Sequence, residues 1–143
     1  MEFSDNKVKH LEFIQSNIAR MNQCSFQMKG WMLTIVSALL ALYVGSINSE
    51  TGNGKNMFIY IAVVPAIIFW LLDSYYLQQE RKFREIYSDL INPERCEQIK
   101  PFEMPLNKYY GCKYCLAHIM WTKTEALLYA PVIVGLVVAG VLL

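Results

Sequence analysis

Three long apolar runs dominate the hydrophobic pattern of the chain, at residues 31–47, 57–77 and 126–143. Each run holds about 17–21 residues, and about 20 helical residues cross the hydrocarbon layer of a bilayer. A short loop rich in Asn, Gly and Ser separates the first two runs. The pattern predicts three transmembrane helices, of which the first two form an antiparallel hairpin. Because the third run contains Pro131, a helix that lies partly in the membrane interface is the alternative there.

Two polar segments beside the hairpin have the periodicity of amphipathic helices. Before the first run, apolar residues with 3, 4, 3 spacing form one stripe: Leu11, Ile14, Ile18 and Met21. The second run continues beyond residue 77 without Pro or Gly, and a second stripe follows: Phe83, Ile86, Tyr87 and Leu90. We expect the two stripes to pack together as a helical stalk. Contact with other subunits is a further role for part of either stripe.

The composition favours a membrane protein. Hydrophobic residues make up 55% of the 143 residues and charged residues 17%, whereas soluble domains carry about 25% charged residues. The net charge of +1 provides no basic field for nucleic acid. The predicted fold is an all-α integral membrane protein with four parts: a cytosolic amphipathic helix (1–30), a transmembrane hairpin (31–77), a cytosolic helix with an irregular segment (78–125) and a third transmembrane helix (126–143).

The distribution of Lys and Arg predicts the orientation of the chain, because cytoplasmic flanks carry an excess of these residues. Four of them precede the first run, one lies between the first and second runs, and eight lie between the second and third. We therefore expect the N-terminus and residues 78–125 in the cytosol. The loop at 48–56 and the C-terminus are expected outside.

Asp73 is an acid about four residues inside the cytosolic end of the second run. An ionised carboxylate at that depth is costly unless it is paired or hydrated. Lys29 precedes the first run at the corresponding depth of the antiparallel neighbour. An ion pair between Lys29 and Asp73 is the first interpretation. The second is an acid that faces a water-filled path between subunits and favours cations there.

Small residues form a stripe along the first run. They recur every three or four residues, with Ser37 beside them: Gly30, Thr34, Ala38, Ala41 and Gly45. Small side chains allow helices in lipid to approach closely. The stripe predicts either packing within one chain or a seam between copies of the chain. The third run has a shorter version, at Gly135 and Ala139.

The segment "CKYCLAH" is a metal-like motif with little support. Cys112, Cys115 and His118 have the spacing C-x2-C-x2-H, and Cys96 is a candidate fourth ligand. Tetrahedral zinc favours such ligands, but a second pair with the right spacing is missing. Reduced thiols without metal, and a chain without a cofactor, are the preferred interpretation. The motifs of phosphate-binding loops, zinc proteases and serine hydrolases are also missing, so we do not expect an enzyme.

The order of the segments resembles a known type of protein. A polar helix leads through "FQMKGWMLTIVSALLALYV" into the hairpin, which continues through "FWLLDSYYLQQERKFREIY" into a charged helix. Residues 7–91 thereby resemble the SLATT-type small bacterial membrane proteins, which occur beside nucleotide-second-messenger systems, and related membrane proteins of antiphage loci. The resemblance implies an effector that oligomerises and makes the inner membrane leaky when triggered. The third run and the segment 94–125 depart from that two-span pattern.

Two functions remain as hypotheses. The first is a homo-oligomeric effector of the bacterial inner membrane that forms an ion-permeable or membrane-disrupting assembly in antiphage defence. Its partners would be the lipid bilayer, other copies of the chain and a cytosolic protein or nucleotide signal. The alternative is a membrane anchor or scaffold that recruits a cytosolic partner and conducts nothing.

Overall fold

A computed structural model describes residues 5–47, 54–95, 99–100 and 102–142. These residues contain four α-helices: α1 (Asp5–Gly45), α2 (Met57–Ile91), α3 (Leu116–Met120) and α4 (Lys123–Leu142). Short 3-10 turns lie between α2 and α3, at Leu106–Lys108 and Cys112–Tyr114. Helices α1, α2 and α4 are long and apolar enough to cross a membrane. The prediction of an all-helical chain with three candidate spans is thereby confirmed.

Helices α1 and α2 each join an apolar half to a polar half without interruption. The 41 residues of α1 extend about 60 Å at 1.5 Å per residue. The predicted division at residue 30 is therefore a change of composition within one helix. Helix α2 contains Pro65, which removes one backbone hydrogen bond, and apolar helices tolerate this where local adjustment satisfies the freed carbonyl.

The apolar halves of α1 and α2 form one core together with α4, and we call this part the three-helix section. Helix α4 packs along α2 and not along α1. The buried residues of the core come from all three helices: Met32, Val36, Tyr43, Ile59, Ala62, Ala66, Tyr129 and Leu136. Large apolar side chains also cover the outside of this section, among them Leu42, Val64 and Val134. An apolar outer surface of this extent is typical of helices that face lipid.

The polar halves of α1 and α2 form a second core, and we call this part the two-helix section. Its buried residues are Ile14, Phe83, Ile86, Leu90 and Ile99. The remaining residues of the two sequence stripes pack against it in partly buried positions: Leu11, Ile18, Met21 and Tyr87. The structure thus brings the two amphipathic stripes together.

The segment between α2 and α3 folds back on α2 through side-chain contacts. Tyr109 Oη donates to Asp89 Oδ2 over 2.7 Å, and Lys113 pairs with Glu85. Burial and the neighbouring Asp89 carboxylate raise the pKa of Tyr109 above its ordinary value. The sequence predicts an irregular stretch up to Gly111 and then a short helix, and the two 3-10 turns followed by α3 have this arrangement. Gly111 has a φ of 119°, which favours glycine.

At Gly140, α4 is in tight contact with Tyr60 of α2. Tyr60 Oη donates to the carbonyl oxygen of Gly140 over 2.7 Å. A Cβ atom at Gly140 would lie 3.1 Å from the Tyr60 ring, whereas one at Gly135 would meet nothing within 4 Å. The small residue that matters for this contact is therefore Gly140, and Gly135 lies on an exposed face.

We predict that Gly140→Val destabilises the protein and that Gly135→Val, its matched control, does not. The added methyl groups at residue 140 collide with the Tyr60 ring, and overpacking of this kind costs about 1–3 kcal/mol. Thermal unfolding of the purified variants in one mild detergent measures the difference. Equal melting temperatures for the two variants would contradict the packing of α4 on Tyr60.

Candidate functional site

Helices α1, α2 and α4 meet at a group of polar side chains where the three-helix section joins the two-helix section. The group consists of Ser25, Lys29, Asp73, Glu125 and Tyr129, and we call it the polar cluster. Asp73 and Tyr129 are 0% exposed and Glu125 is 1% exposed. Charged side chains are almost never buried to this degree unless they are paired, so their contacts determine what the cluster can do.

Lys29 is the centre of the polar cluster. Its Nζ lies 2.5 Å from Asp73 Oδ2, 2.9 Å from Glu125 Oε1 and 3.0 Å from Ser25 Oγ. A lysine ammonium group has three donors and no acceptor, so each donor has one partner. Since α4 does not pack along α1, the long Lys29 side chain provides the ionic link between them.

Asp73 accepts hydrogen bonds at both carboxylate oxygens. Ser25 Oγ donates to Oδ1, while Lys29 Nζ and Tyr129 Oη donate to Oδ2, the latter over 2.9 Å. Three donors are thus directed at one carboxyl group, and one of them is a cation.

Glu125 has a poorer set of partners. Lys29 donates to Oε1, but Oε2 is buried and has no hydrogen-bond partner among the described residues. The same is true of Ser74 Oγ and Trp70 Nε1 on α2. Buried polar atoms normally have partners, and a group left without one is costly. Glu125 thus has fewer hydrogen-bond partners than Asp73.

Aromatic rings pack beside Tyr129, the aromatic member of the polar cluster. The rings of Trp70 and Tyr129 are stacked, with centroids 5.9 Å apart and planes 7° apart. Trp121 meets Trp70 edge-on at 6.0 Å. The stacking on Trp70 helps to position the Tyr129 ring, whose hydroxyl group donates to Asp73.

Local helical spacing explains how the sequence assembles the cluster. Ser25 and Lys29 are four residues apart on α1, and Glu125 and Tyr129 are four residues apart on α4. Residues with this spacing lie on one face of a helix. Helix α4 begins at Lys123, three residues before the apolar run, so Glu125 lies in its first turn.

The structure brings together two of the residues singled out from the sequence, Lys29 and Asp73. In the single chain, Asp73 faces α1 and α4 and has no exposed surface. Sequence reasoning missed Ser25, Glu125 and Tyr129. The signal for Glu125 was present, because it is an acid at the edge of the third apolar run, as Asp73 is at the edge of the second.

The small-residue stripe of α1 lies outside the bundle. All six of its residues are exposed: Gly30, Thr34, Ser37, Ala38, Ala41 and Gly45. A Cβ atom at Gly30 or Gly45 would meet nothing within 4 Å. Helix α1 contacts α2 through a different stripe, which contains Met32, Val36 and Tyr43. The stripe therefore does not serve packing within the chain.

The residues of the metal-like motif stay apart from the cluster. Cys112, Cys115 and His118 are exposed, and both cysteines are free thiols. Cys96 lies outside the described residues. Within the described ranges, no three His, Cys, Asp or Glu side chains are grouped as metal ligands would be.

No protein-family model matches this chain, and no significant similarity to a curated protein or a solved structure was found.

We predict that Asp73→Asn lowers stability more than Ser25→Ala. The first change breaks the buried Lys29–Asp73 ion pair and leaves Lys29 with Glu125 as its remaining carboxyl partner, and breaking a buried pair costs about 3–5 kcal/mol. The second removes two hydrogen bonds, to Asp73 and from Lys29, at about 1 kcal/mol each. Thermal or denaturant unfolding in detergent measures both variants. If Asp73→Asn unfolds no earlier than Ser25→Ala, the ion pair does not stabilise the fold.

Proposed function

We propose that the protein is a homo-oligomeric effector of the bacterial inner membrane whose copies form an ion-permeable or membrane-disrupting assembly in antiphage defence. One observation carries the oligomeric part: the small-residue stripe of α1 is exposed over its whole length. Small residues on lipid-facing helices permit close helix–helix contact, and we assign a second copy of α1 as the helix that packs on the stripe. The assignment to defence rests on the resemblance of residues 7–91.

The packing of the single chain supports an assembly as the conducting unit. The interior of the three-helix section is filled by apolar side chains, and Asp73 is bonded to its own chain. We therefore assign Asp73 to the stability of the protomer and not to the mouth of a pore. A conducting path would lie between copies, and the two-helix section is the part available to a cytosolic trigger.

The orientation belongs to the same proposal. The excess of Lys and Arg on the N-terminal segment and on residues 78–125 favours a cytosolic two-helix section. In the structure, the exposed thiols of Cys112 and Cys115 belong to the segment that folds back on that section. Lys55, beside the loop between α1 and α2, is exposed at the opposite end of the hairpin.

The alternative function, an anchor or scaffold that recruits a cytosolic protein, uses the two-helix section alone. It requires no contact between copies and no ion flux. Measuring assembly and flux on the same samples distinguishes the two functions.

We predict that Ala38→Leu disrupts the assembly and that Gly135→Leu on α4 leaves it intact. Both positions are exposed in the single chain, but only the first lies in the stripe, where a large side chain keeps two helices apart. Light scattering in mild detergent measures the mass of the particles. Ion efflux from liposomes measures permeability, which we expect to fall together with the assembly.

Two results with the wild-type protein would overturn the effector function, and an assembly that Ala38→Leu leaves intact would overturn the role of the stripe. A wild-type protein that is monomeric in detergent and silent in liposomes contradicts the effector. An assembled protein that passes no ions under any trigger favours the scaffold.

We predict that a membrane-impermeant maleimide labels Cys112 only after the membrane is opened. The variant that tests this replaces Cys24, Cys96 and Cys115 by Ser. Its control removes Cys112 as well and carries Lys55→Cys, which we expect to be labelled in intact spheroplasts. The reverse labelling pattern would place the two-helix section outside the cell.

A further inference from the structure

We propose that the polar cluster is a proton-binding site and that Glu125 holds the proton when α4 is docked on the hairpin. The ligand is a single exchangeable proton, and its site lies on the carboxyl group whose Oε2 has no partner among the described residues. This inference is independent of oligomer formation and of ion flux.

The charge of the cluster is the first argument. Two carboxyl groups, those of Asp73 and Glu125, contact a single ammonium group, that of Lys29. If both acids are ionised, the cluster carries a net negative charge although both are essentially fully buried. An uncompensated buried charge is very unfavourable, and such a group takes up a proton instead. One proton makes the cluster neutral.

The hydrogen bonds decide which carboxyl group holds the proton. Asp73 accepts from Ser25, Lys29 and Tyr129, and this number of donors favours the carboxylate. Among the described residues, Glu125 accepts only from Lys29. Its place in the first turn of α4 favours a negative charge slightly, because helix N-termini are electropositive, but this effect is small compared with burial beside a second acid.

All titratable groups around Glu125 fit this assignment. Lys29 faces it from α1, Asp73 from α2, and Tyr129 lies one turn along α4. Helix α3 carries one titratable side chain, His118, and Lys123 precedes Glu125 on α4; both are exposed. None of these groups provides a second buried cation in place of the proton.

The proton has a structural consequence for α4. Two polar side-chain contacts join this end of α4 to the other described helices, Lys29–Glu125 and Tyr129–Asp73. Loss of the proton brings two buried carboxylates together at the point where α4 meets α2. Deprotonation therefore weakens the docking of α4, while the Lys29–Asp73 pair keeps the hairpin closed.

Infrared spectroscopy of the purified protein tests the proposal directly. We expect a protonated-carboxyl C=O band at neutral pH that shifts when glutamate carboxyl carbons are labelled with 13C. The band should be absent in Glu125→Gln. It should also be absent in Asp73→Asn, because Glu125 is then the one carboxyl group of the cluster beside Lys29 and ionises.

Measurements of thermal stability provide a second test of the proposal. Glu125→Gln mimics the protonated acid, so we expect it to melt close to wild type below about pH 4, where a glutamate is protonated in the unfolded chain as well. Because unfolding releases the proton of Glu125 above that pH, the wild type should lose stability relative to Glu125→Gln as the pH rises from about 4 to the range in which the infrared band disappears. Absence of the band at neutral pH, or a band that the glutamate label does not shift, would overturn the proposal.

A small cation is the competing ligand for an acidic cluster, and it gives a different result. If Na⁺ or K⁺ occupied the site, the melting temperature at constant pH and ionic strength would depend on which of them is present, compared with a bulky organic cation. We expect no such dependence. Cation-specific stabilisation that Glu125→Gln abolishes would replace the proton with a metal ion.

Discussion

The rest of this structure depends on one constraint, which is that a single ammonium group, that of Lys29, contacts two buried carboxyl groups. Lys29 can satisfy Asp73 and Glu125 together only where three helices converge at one depth. That requirement fixes how far α1 slides along α2 and where the first turn of α4 must lie. Apolar packing alone specifies the register of two helices weakly. When one helix shifts by one turn, each apolar side chain in the contact is replaced by a similar one. A slide that separates a buried polar group from its partner is much more costly.

The polar cluster also separates two cores of different character. On one side the core contains three helices, and on the other it contains two helices and the folded-back segment. Helices α1 and α2 run through both cores without a break. If either helix rotates about its axis in one core, the side chains that it contributes to the other core therefore move as well. The cluster lies at the joint, where side chains from both helices are bonded to each other.

Much of the fold could be predicted from the sequence, because its signals are local. Run length and periodicity predict the long helices and the stripes that pair, such as Ile14 with Phe83 and Ile86. The depth of Asp73 indicated Lys29 as its neighbour. Glu125 and Tyr129 were missed because their role depends on how α4 is placed against the hairpin, which no local pattern encodes. Likewise, only the packing distinguishes Gly140, which contacts Tyr60, from Gly135, where an added Cβ atom would meet no described residue within 4 Å.

The pairing within the cluster has a consequence for biosynthesis. Chains are made from the N-terminus, and N-terminal units form first. Lys29 and Asp73 both belong to the hairpin, so α1 and α2 can pair before α4 has been translated. Glu125 arrives last, when the ammonium group of the cluster is already paired. The third helix therefore docks on a hairpin whose buried charges are already balanced, and on the proposal above it docks most easily with its acid uncharged.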